Sequence, residues 1–326
     1  MIATARAHTN IALVKYWGKR DERLFLPTNS SLSLTLDGLF TTTTVDFQEG
    51  LAADRFVLDG REVEGSDRLK VSRFLDMVRA LSGLDRFAVV TSKNDVPTAA
   101  GLASSASGFA ALAAAAAWAA GLDLDPASLS RLARQGSGSA SRSIFGGFAE
   151  WQMGESPDGS DSHGVQVAPE GHWDVRMVVA ALSLGRKDVA SREGMRRTVE
   201  TSALYPGWLA TVKADLAAVR RAIDDRDFEA LGATAEANAL RMHATTLGAH
   251  PPFTYWQPAT IALMQAVRDL RAGGVSAYFT IDAGPNVKVL CLPQDQAAVE
   301  AAIRAVPGVS AVIACGPGPG VRRLDP

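Results

Sequence analysis

The chain has 326 residues, 47% of them hydrophobic and 21% charged, which is enough to bury one large or two ordinary cores. Its formal net charge of −2 and its pI near 6.2 exclude the broadly basic surface that binds nucleic acid or acidic membranes non-specifically. The two cysteines, Cys291 and Cys315, lie in apolar, strand-like surroundings without a C-x-x-C spacing, so we expect buried reduced thiols and a cytoplasmic location.

The apolar runs are too short for a membrane segment. The N-terminus has no basic stretch leading into a long apolar run, so no secretory signal is expected. The longest apolar run, residues 109–120, is well short of the roughly 20 residues that span a bilayer. We therefore expect no membrane partner, and we interpret residues 109–120 as a buried helix.

The first 95 residues are predicted to be rich in β-structure. Residues 8–47 contain an apolar strand that ends in lysines and aromatic residues, then a hydroxyl-rich turn and a strand with alternating leucines. Asp59-Gly60 is a hairpin signal, and residues 87–90 form a short buried strand. Residues 66–81 are predicted to be a helix that Ser66 or Asp67 caps. The apolar face of that helix consists of Leu69, Phe74, Leu75, Val78 and Leu81.

A loop of small and hydroxyl residues precedes an alanine-rich helix. Residues 95–108 read DVPTAAGLASSASG, and residues 109–120 read FAALAAAAAWAA. Small side chains let backbone N–H groups approach a ligand, and the positive end of the helix dipole favours an anion, so a phosphate loop is predicted. A serine-rich turn that only caps a core helix is the alternative. The chain has no G-x-x-x-x-G-K-[ST] motif, and no G-x-G-x-x-G follows a predicted strand.

A second stretch rich in glycine and serine spans residues 136–151. The helix before it is predicted to start at Asp125-Pro126 and to stop at Gly136. A surface linker is the alternative, but linkers are seldom followed at once by a cluster of apolar and aromatic residues. Residues 154–171 are a better loop candidate. The residues that argue against the linker are Ile144, Phe145, Phe148 and Trp151.

The second half of the chain reads β-α-α-α-β-β-α-β, an α+β arrangement. It starts with a strand at residues 176–182, and a polar loop at residues 183–194 follows. The later predicted elements are helices at 209–223, 228–242 and 261–270, a strand-turn-strand at 276–292, a helix at 294–306 and a strand at 310–315.

With these stretches in view, the chain resembles bacterial mevalonate diphosphate decarboxylases, a family of the GHMP kinase superfamily, over essentially its whole length. The phosphate loop is shared across the superfamily, whereas K-Y-W-G-K and D-A-G-P-N are far more specific. The matching stretches are NIALVKYWGK at 10–19, PTAAGLASSAS at 97–107, GSGSASR at 136–142 with Gly146-Gly-Phe, and FTIDAGPN at 279–286.

The resemblance implies a GHMP kinase fold with two domains and a cleft between them. Residues 1–175 are expected to form an ATP-binding domain like ribosomal protein S5 domain 2, and residues 176–326 a ferredoxin-like domain. The implied reaction converts (R)-5-diphosphomevalonate and ATP into isopentenyl diphosphate, ADP, phosphate and CO2 with Mg2+. A homodimer is implied as well.

The resemblance also carries roles onto individual residues. Asp282 matches the catalytic aspartate near the C3 hydroxyl, although an aspartate before Ala-Gly-Pro is also ordinary turn chemistry. Arg142 matches the arginine that holds the substrate carboxylate. Lys15 matches a lysine near the reacting centre, although a lysine at a strand end can equally face solvent.

The remaining implied residues bind the two substrates. Those expected to grip the diphosphate and orient the mevalonyl chain are Tyr16, Lys19, Ser137, Ser139, Ser191 and Arg192. Those expected near ATP are Ser92, Asn94, Gly101, Ala103, Ser104 and Ser105. Some of the serines can instead cap a helix or a turn. No metal-ligand cluster is expected, because Mg2+ is held largely by phosphates and water.

Two kinds of alternative stay open. A sibling enzyme can act on the 5-monophosphate, or phosphorylate the 3-hydroxyl of mevalonate and stop. A sensor can bind ATP and a small molecule without turnover. The diphosphate grip and Asp282 favour the full decarboxylase over both.

Overall fold

Two large β-sheets organise the described part of the chain, which comprises residues 1–95, 104–182 and 189–324 of a computed structural model. The first half contains β1 Ile2–Val14, β2 Lys19–Asp21, β3 Leu26–Pro27, β4 Ser31–Gln48, β5 Arg55–Leu58, β6 Arg61–Glu62, α1 Gly65–Ser82, β7 Phe87–Asp95, α2 Ser104–Ala119, α3 Pro126–Gly136, β8 Phe148–Trp151 and β9 Gly164–Ala168. The second half contains β10 Arg176–Leu182, α4 Ser191–Thr201, α5 Tyr205–Asp225, α6 Phe228–Leu247, α7 Pro258–Ala272, β11 Ala277–Ile281, β12 Val287–Cys291, α8 Gln296–Arg304, β13 Val309–Cys315 and β14 Arg322–Leu324. The predicted α+β class is confirmed.

The first sheet has the strand order β14-β1-β4-β7-β5-β6, and β8 and β9 extend it beside β4. The long strands β1 and β4 pair antiparallel from Ile2↔Asp46 to Val14↔Leu32. The alanines of α2 are buried, and with α1 and the small residues of β1 they form one hydrophobic core. Small side chains on both surfaces let the helix lie close to the sheet, and the first turn of α2 lines the cleft at the end of β1.

The second sheet has the order β11-β12-β10-β13, and all of its pairs are antiparallel. One of its faces packs against α7 and α8. Residues of its other face, such as Met177 and Val179, share a core with α5, α6 and the leucines of β4. The two halves are therefore joined by one continuous apolar core, which fixes the ends of β1 and β11 relative to each other.

Most predicted elements are present, with boundaries within a few residues. The Asp59-Gly60 hairpin joins β5 to β6, with both residues at positive φ. Asp125 caps α3 by accepting a hydrogen bond from the Ser128 N–H. Residues 136–151 form a short 3-10 turn at Gly138–Ser141 and then β8, so the linker alternative is wrong. Cys291 and Cys315 are free and buried, as predicted.

Two predictions about α1 are wrong. The N-cap residue is Glu64, and no side chain caps the helix, so neither Ser66 nor Asp67 has that role. Leu69 and Leu81 are exposed, while the buried face contains Val71 in addition to the predicted Phe74, Leu75 and Val78. The apolar positions are more numerous than one helical face can bury, so those at its edges remain in solvent.

Three further elements depart from the prediction. Residues 191–194 of the predicted polar loop begin α4, and residues 183–188 lie outside the described residues. α4 was not predicted because its sequence is mostly polar, and it buries only Gly194, Met195 and Thr198. Glu193 forms ion pairs with Arg196 and Arg197, one helical turn further on. β9 lies inside the predicted loop at residues 154–171, and β14 returns the chain to the first sheet beside β1.

Candidate active site

A cleft of about 500 Å3 opens between the two halves of the chain. Its walls come from the end of β1, the first turn of α2, the turn after α3, the start of α4 and the segment after β11. The structure therefore brings residues from five separate stretches of sequence to one place. The predicted site residues that line the cleft are Lys15, Tyr16, Lys19, Ser105, Ser137, Ser139, Arg142, Ser191, Arg192 and Asp282.

Two lysines bind the carboxylate of Asp282. Lys15 Nζ lies 2.7 Å from Oδ1, and Lys288 Nζ lies 3.0 Å from Oδ2. Lys15 also donates to the backbone oxygen of Ala12 at 2.8 Å. Both lysine side chains are almost fully buried, at 3% and 5% exposure, whereas the Asp282 side chain is 36% exposed toward the cleft. The carboxylate is thus the part of this ionic cluster that a ligand can touch.

The cluster shifts the pKa values of its members. Burial alone would raise the pKa of Asp282, but the charges of Lys15 and Lys288 outweigh it and hold that pKa well below its ordinary range. Burial lowers the pKa of Lys15, Asp282 opposes that shift, and the positive charges of Lys288 and Arg142 add to it, so that the pKa is about 8. At neutral pH Asp282 is an anion, and Lys15 titrates closer to neutral pH than an ordinary lysine does.

The backbone of Lys15 is held on both sides by buried asparagines. Its N–H donates to Asn238 Oδ1 at 2.9 Å, and its carbonyl oxygen accepts from Asn29 Nδ2 at 2.8 Å. Asn238 is fixed in turn because its Nδ2 donates to Asp215, which also accepts from Arg241. These bonds fix where the Lys15 side chain begins, and so define its approach to Asp282.

Helix α6 also supports the strand that ends at Asp282. His243 Nε2 lies 3.2 Å from the carbonyl oxygen of Ile281, the residue before Asp282, and donates to it. Burial lowers the pKa of His243 to about 4, so the ring is neutral at physiological pH. It packs against Trp256 and Tyr255. His243 therefore fixes the backbone at Asp282 without adding a charge.

Arg142 presents a buried guanidinium to the cleft. It is 2% exposed, and Nε donates to Asn10 Oδ1 at 3.2 Å and to Ser33 Oγ at 2.9 Å, while Nη1 donates to Ser31 Oγ. Burial lowers its pKa to about 10. Within the described ranges, no carboxylate lies within ion-pair distance of it. A buried cation held only by neutral acceptors is a site for an anionic ligand group.

The opposite wall carries further cations around one aromatic ring. Lys19 Nζ lies 4.5 Å from the centre of the Phe25 ring, and the Arg192 guanidinium lies 5.0 Å from it. Lys19 also forms an ion pair with Glu22. Phe25 has a φ of 53°, a conformation that strains a bulky residue. The ring therefore sets the spacing of two positive charges in the lining of the cleft.

Hydroxyl groups lie between these cations. Tyr16 OH is buried, has no hydrogen-bond partner among the described residues, and its ring packs against Trp151 with centroids 4.7 Å apart. Burial raises the pKa of Tyr16 above its ordinary value, so it is a neutral donor. Ser137 Oγ and Ser139 Oγ lie 3.3 Å apart. A buried donor without a protein acceptor suits an oxygen-rich ligand.

The predicted ATP residues are only partly described. Ser105 lines the cleft in the first turn of α2, where the helix dipole is positive. Ser104 begins α2, but its side chain lies outside the described part, as do Gly101 and Ala103. The other two predicted residues, Ser92 and Asn94, lie on β7 away from the cleft wall. Ser92 Oγ pairs with the Thr43 hydroxyl, and Asn94 accepts from the Thr41 hydroxyl.

Two residues of the site were missed by the sequence analysis. Lys288 had a signal, because it is a lysine inside the otherwise apolar strand β12. Phe25 had none, because its role depends on a backbone conformation and on two cations that the sequence does not place beside it.

No group of three or more His, Cys, Asp or Glu side chains is arranged to hold a metal ion within residues 1–95, 104–182 and 189–324. Across the same ranges, no helix has the length and apolar character needed to cross a membrane.

Comparisons with known proteins give a consistent result. Residues 7–164 match the family described as diphosphomevalonate decarboxylase-like N-terminal domain, and residues 177–314 match the mevalonate 5-diphosphate decarboxylase C-terminal domain. Diphosphomevalonate decarboxylase of Bos taurus is 44% identical over 323 residues, covering 93% of this chain and 80% of the relative.

Solved structures are similar over the whole chain. One is mevalonate diphosphate decarboxylase from Enterococcus faecalis, from work on mevalonate diphosphate mediated ATP binding. It is 48% identical, has a TM-score of 0.94, and the match covers 100% of this chain and 99% of the other. A structure of MDDEF in complex with MVAPP, AMPPCP and magnesium is 50% identical with the same TM-score and coverage. The expected GHMP kinase fold is confirmed by these likenesses.

Proposed function

The chain belongs to the diphosphomevalonate decarboxylase family, and we propose that it converts (R)-5-diphosphomevalonate and ATP into isopentenyl diphosphate, ADP, phosphate and CO2. The observation that carries this proposal is the juxtaposition of two sites in one cleft. An anionic carboxylate at Asp282 and a buried guanidinium at Arg142 lie on the same lining as Tyr16, Lys19 and Arg192. One ligand with a hydroxyl, a carboxylate and a diphosphate matches all of them.

The successive steps of the reaction need protein groups of opposite charge. A tertiary alcohol is a poor leaving group, so the C3 hydroxyl is first phosphorylated. Asp282 accepts the hydrogen bond of that hydroxyl and aligns its oxygen toward the transferred phosphoryl group. As the new O–P bond forms and ADP leaves, the hydroxyl proton passes to an oxygen of the transferred phosphoryl group. Departure of the phosphate then leaves positive character at C3, which the carboxylate of Asp282 stabilises. Lys15 donates to Asp282 Oδ1 and keeps it in place.

Arg142 is proposed to hold the substrate carboxylate. Its side chain is already fixed by Asn10, Ser31 and Ser33, so binding costs little further ordering of the arginine. Loss of CO2 transfers the electron pair of the breaking C–C bond to C3 and forms the alkene. Because the guanidinium stays charged, the carboxylate remains ionised until it leaves.

The 5-diphosphate is proposed to lie against Tyr16, Lys19 and Arg192. Two cations and a neutral phenol donor suit a group with about three negative charges. The serine hydroxyls that complete this grip are proposed to be those of Ser137, Ser139 and Ser191. A monophosphate is shorter and carries less charge, so it would leave part of this wall unpaired.

ATP is proposed to place its phosphates at the first turn of α2, beside Ser104 and Ser105. The further nucleotide residues proposed are Ser92, Asn94, Gly101 and Ala103. Mg2+ bound to the phosphate oxygens supplies charge neutralisation during phosphoryl transfer. The solved relative with AMPPCP and magnesium supports both co-substrate and metal.

The test is an ADP-release assay with ATP and Mg2+, run in parallel on mevalonate, its 5-phosphate and its 5-diphosphate, with CO2 followed alongside. Equal amounts of ADP and CO2 from the diphosphate alone are expected. ADP without CO2 would indicate a kinase that stops after phosphorylation. CO2 from the monophosphate would indicate the sibling decarboxylase, and no ADP from any substrate would indicate a sensor.

The setting of the enzyme is also proposed. We expect a cytoplasmic homodimer, as the resemblance implies, and the two free buried thiols suit a reducing compartment. We expect no nucleic-acid or membrane partner. For the proposed division into residues 1–175 and 176–326, the start of the second sheet at β10 and the two family matches that flank it support the boundary, whereas β14 returns to the first sheet.

A further inference from the structure

The second lysine on Asp282 is the feature that the reaction described so far does not use. Lys288 lies in the middle of β12, between the fully buried Val287 and Val289, and pairs in register with Val179 and Thr280 on the neighbouring strands. Its side chain is 5% exposed. Besides its contact with Asp282, Lys288 Nζ donates to the Asn286 carbonyl oxygen at 3.4 Å.

A buried ammonium at this place is costly for the fold. Taking a lysine charge out of water costs several kcal/mol, and a buried ion pair is often no more stable than apolar residues of the same volume. A strand interior that is otherwise valine and leucine would accept methionine without loss of packing. Stability therefore does not explain the lysine. Because Lys288 lines the cleft, a role in the site is the better explanation.

The geometry divides the two lysines between the two oxygens of one carboxylate. Lys15 reaches Oδ1 from the end of β1, in the first half of the chain. Lys288 reaches Oδ2 from β12, in the second half. Two donors on separate oxygens define both the position and the plane of the carboxylate, whereas one donor would leave it free to rotate.

We infer that Lys288 is a positioning residue of the reaction, which holds Oδ2 of Asp282 while Lys15 holds Oδ1, so that the carboxylate stays ionised and fixed in orientation beside C3. This inference rests on the proposed function. It assigns to Asp282 an orienting and charge-stabilising role rather than that of a strong base, because both oxygens already accept from ammonium groups.

The charges around Lys15 make the inference measurable. The groups that face it are Asp282, Lys288 and Arg142, together with His243 from α6. Asp282 raises the pKa of Lys15, whereas Lys288 and Arg142 lower it. Removing the charge of Lys288 therefore raises the pKa of Lys15, by about one unit or more for a charge this close.

The experiment measures the alkaline limb of kcat/KM for the diphosphate substrate, which reports groups of the free enzyme. With Lys288→Met we expect kcat to fall about tenfold or more. We expect the alkaline limb of the native enzyme near pH 8, where Lys15 titrates, and that of the variant about one pH unit higher. Lys288→Arg keeps the charge and should keep the limb near its native position. Lys213→Met removes an exposed lysine of α5 and should leave both kcat and the limb unchanged.

A second measurement does not depend on turnover. The NMR signal of the Lys15 side-chain nitrogen, assigned with Lys15→Met, should titrate near pH 8 in the unliganded native protein. A titration near the ordinary lysine value overturns the inference, even if Lys288→Met does not fold. An unshifted limb in a folded Lys288→Met protein also overturns it and leaves a structural role. If the native protein releases neither ADP nor CO2, the proposed function is refuted instead. The NMR titration of Lys15 then still tests whether Lys15 is coupled to the charges around it.

Discussion

Replacing Asp282 by asparagine tests the centre of the proposed mechanism. The amide has nearly the same shape but has lost the charge, and its single oxygen can accept from only one of the two lysines. The native carboxylate accepts from Lys15 at 2.7 Å and from Lys288 at 3.0 Å. Hydrogen bonds to charged groups contribute about 1.5–3 kcal/mol each, but Asp282 is 36% exposed to the cleft, so water replaces part of the loss. We expect unfolding free energy to fall by about 1–3 kcal/mol.

The effect on turnover should be much larger than the effect on stability. Misplacement of the reacting hydroxyl costs about 10²-fold, and loss of charge stabilisation in the transition state costs about 10²–10³-fold. The two contributions come from one carboxylate and overlap, so we expect kcat to fall by about 10³-fold or more, equivalent to about 4 kcal/mol of activation free energy. The affinity for ATP should stay within a few-fold of the native value.

The loss of charge also changes how stability depends on pH. Asp282 raises the pKa of Lys15, which is about 8 in its presence, so that pKa falls below 8 in the variant. The variant then relieves its unpaired lysine by releasing a proton as pH rises. Between pH 6 and pH 8, where Asp282 of the native protein is fully ionised, the stability deficit of the variant should be largest near pH 6 and should shrink toward pH 8.

The assay follows ADP and CO2 from the diphosphate, together with thermal unfolding from pH 6 to pH 8 and calorimetric ATP binding. Asp225→Asn, at the exposed end of α5, is the matched control and should behave as the native enzyme. Near-native turnover in a folded Asp282→Asn protein would refute the assignment of Asp282 to the reaction.

Three other substitutions probe separate parts of the structure. Arg142→Ala should raise KM for the diphosphate about 100-fold and leave ATP affinity nearly unchanged; equal losses for both ligands would contradict the carboxylate role. Phe25→Ala should raise the same KM about 3- to 10-fold with little change in kcat, because Lys19 and Arg192 lose their shared ring, and an unchanged KM removes Phe25 from the site. Ala115→Glu should cost roughly several kcal/mol in urea unfolding, since Ala115 is fully buried; a stability close to native would show that α2 does not pack as described.

The parts of the fold that could be predicted are those whose sequence repeats a simple physical pattern. Alternating leucines located β4, an Asp-Pro start located α3, and Asp59-Gly60 located a hairpin. α4 could not be predicted because its surface is polar on nearly all sides and only Gly194, Met195 and Thr198 are buried, so it has no recognisable apolar face. β14 is three residues long and is defined by its partner strand rather than by its own sequence.

The residues of the candidate site likewise divide into those that the sequence could predict and those that depend on the tertiary structure. The sequence motifs place Lys15, Arg142 and Asp282 in one function only through the resemblance, because they lie far apart in the chain and each has an ordinary structural explanation. Their convergence at one cleft depends on the tertiary fold. A lysine inside the apolar strand β12 is a signal in the sequence, but its meaning depends on the 3.0 Å contact with Asp282, which only the structure shows.

The catalytic pair is a product of how the two halves pack together. Lys15 follows a strand of the first sheet and Asp282 follows a strand of the second, and α6 is bonded to both. Asn238 accepts from the Lys15 N–H, and five residues further along the helix His243 donates to Ile281, beside Asp282. The helix thus acts as a rigid spacer that fixes the distance between lysine and carboxylate. Neither half contains the site alone, so a change in how α6 packs should alter turnover even when no cleft residue is replaced.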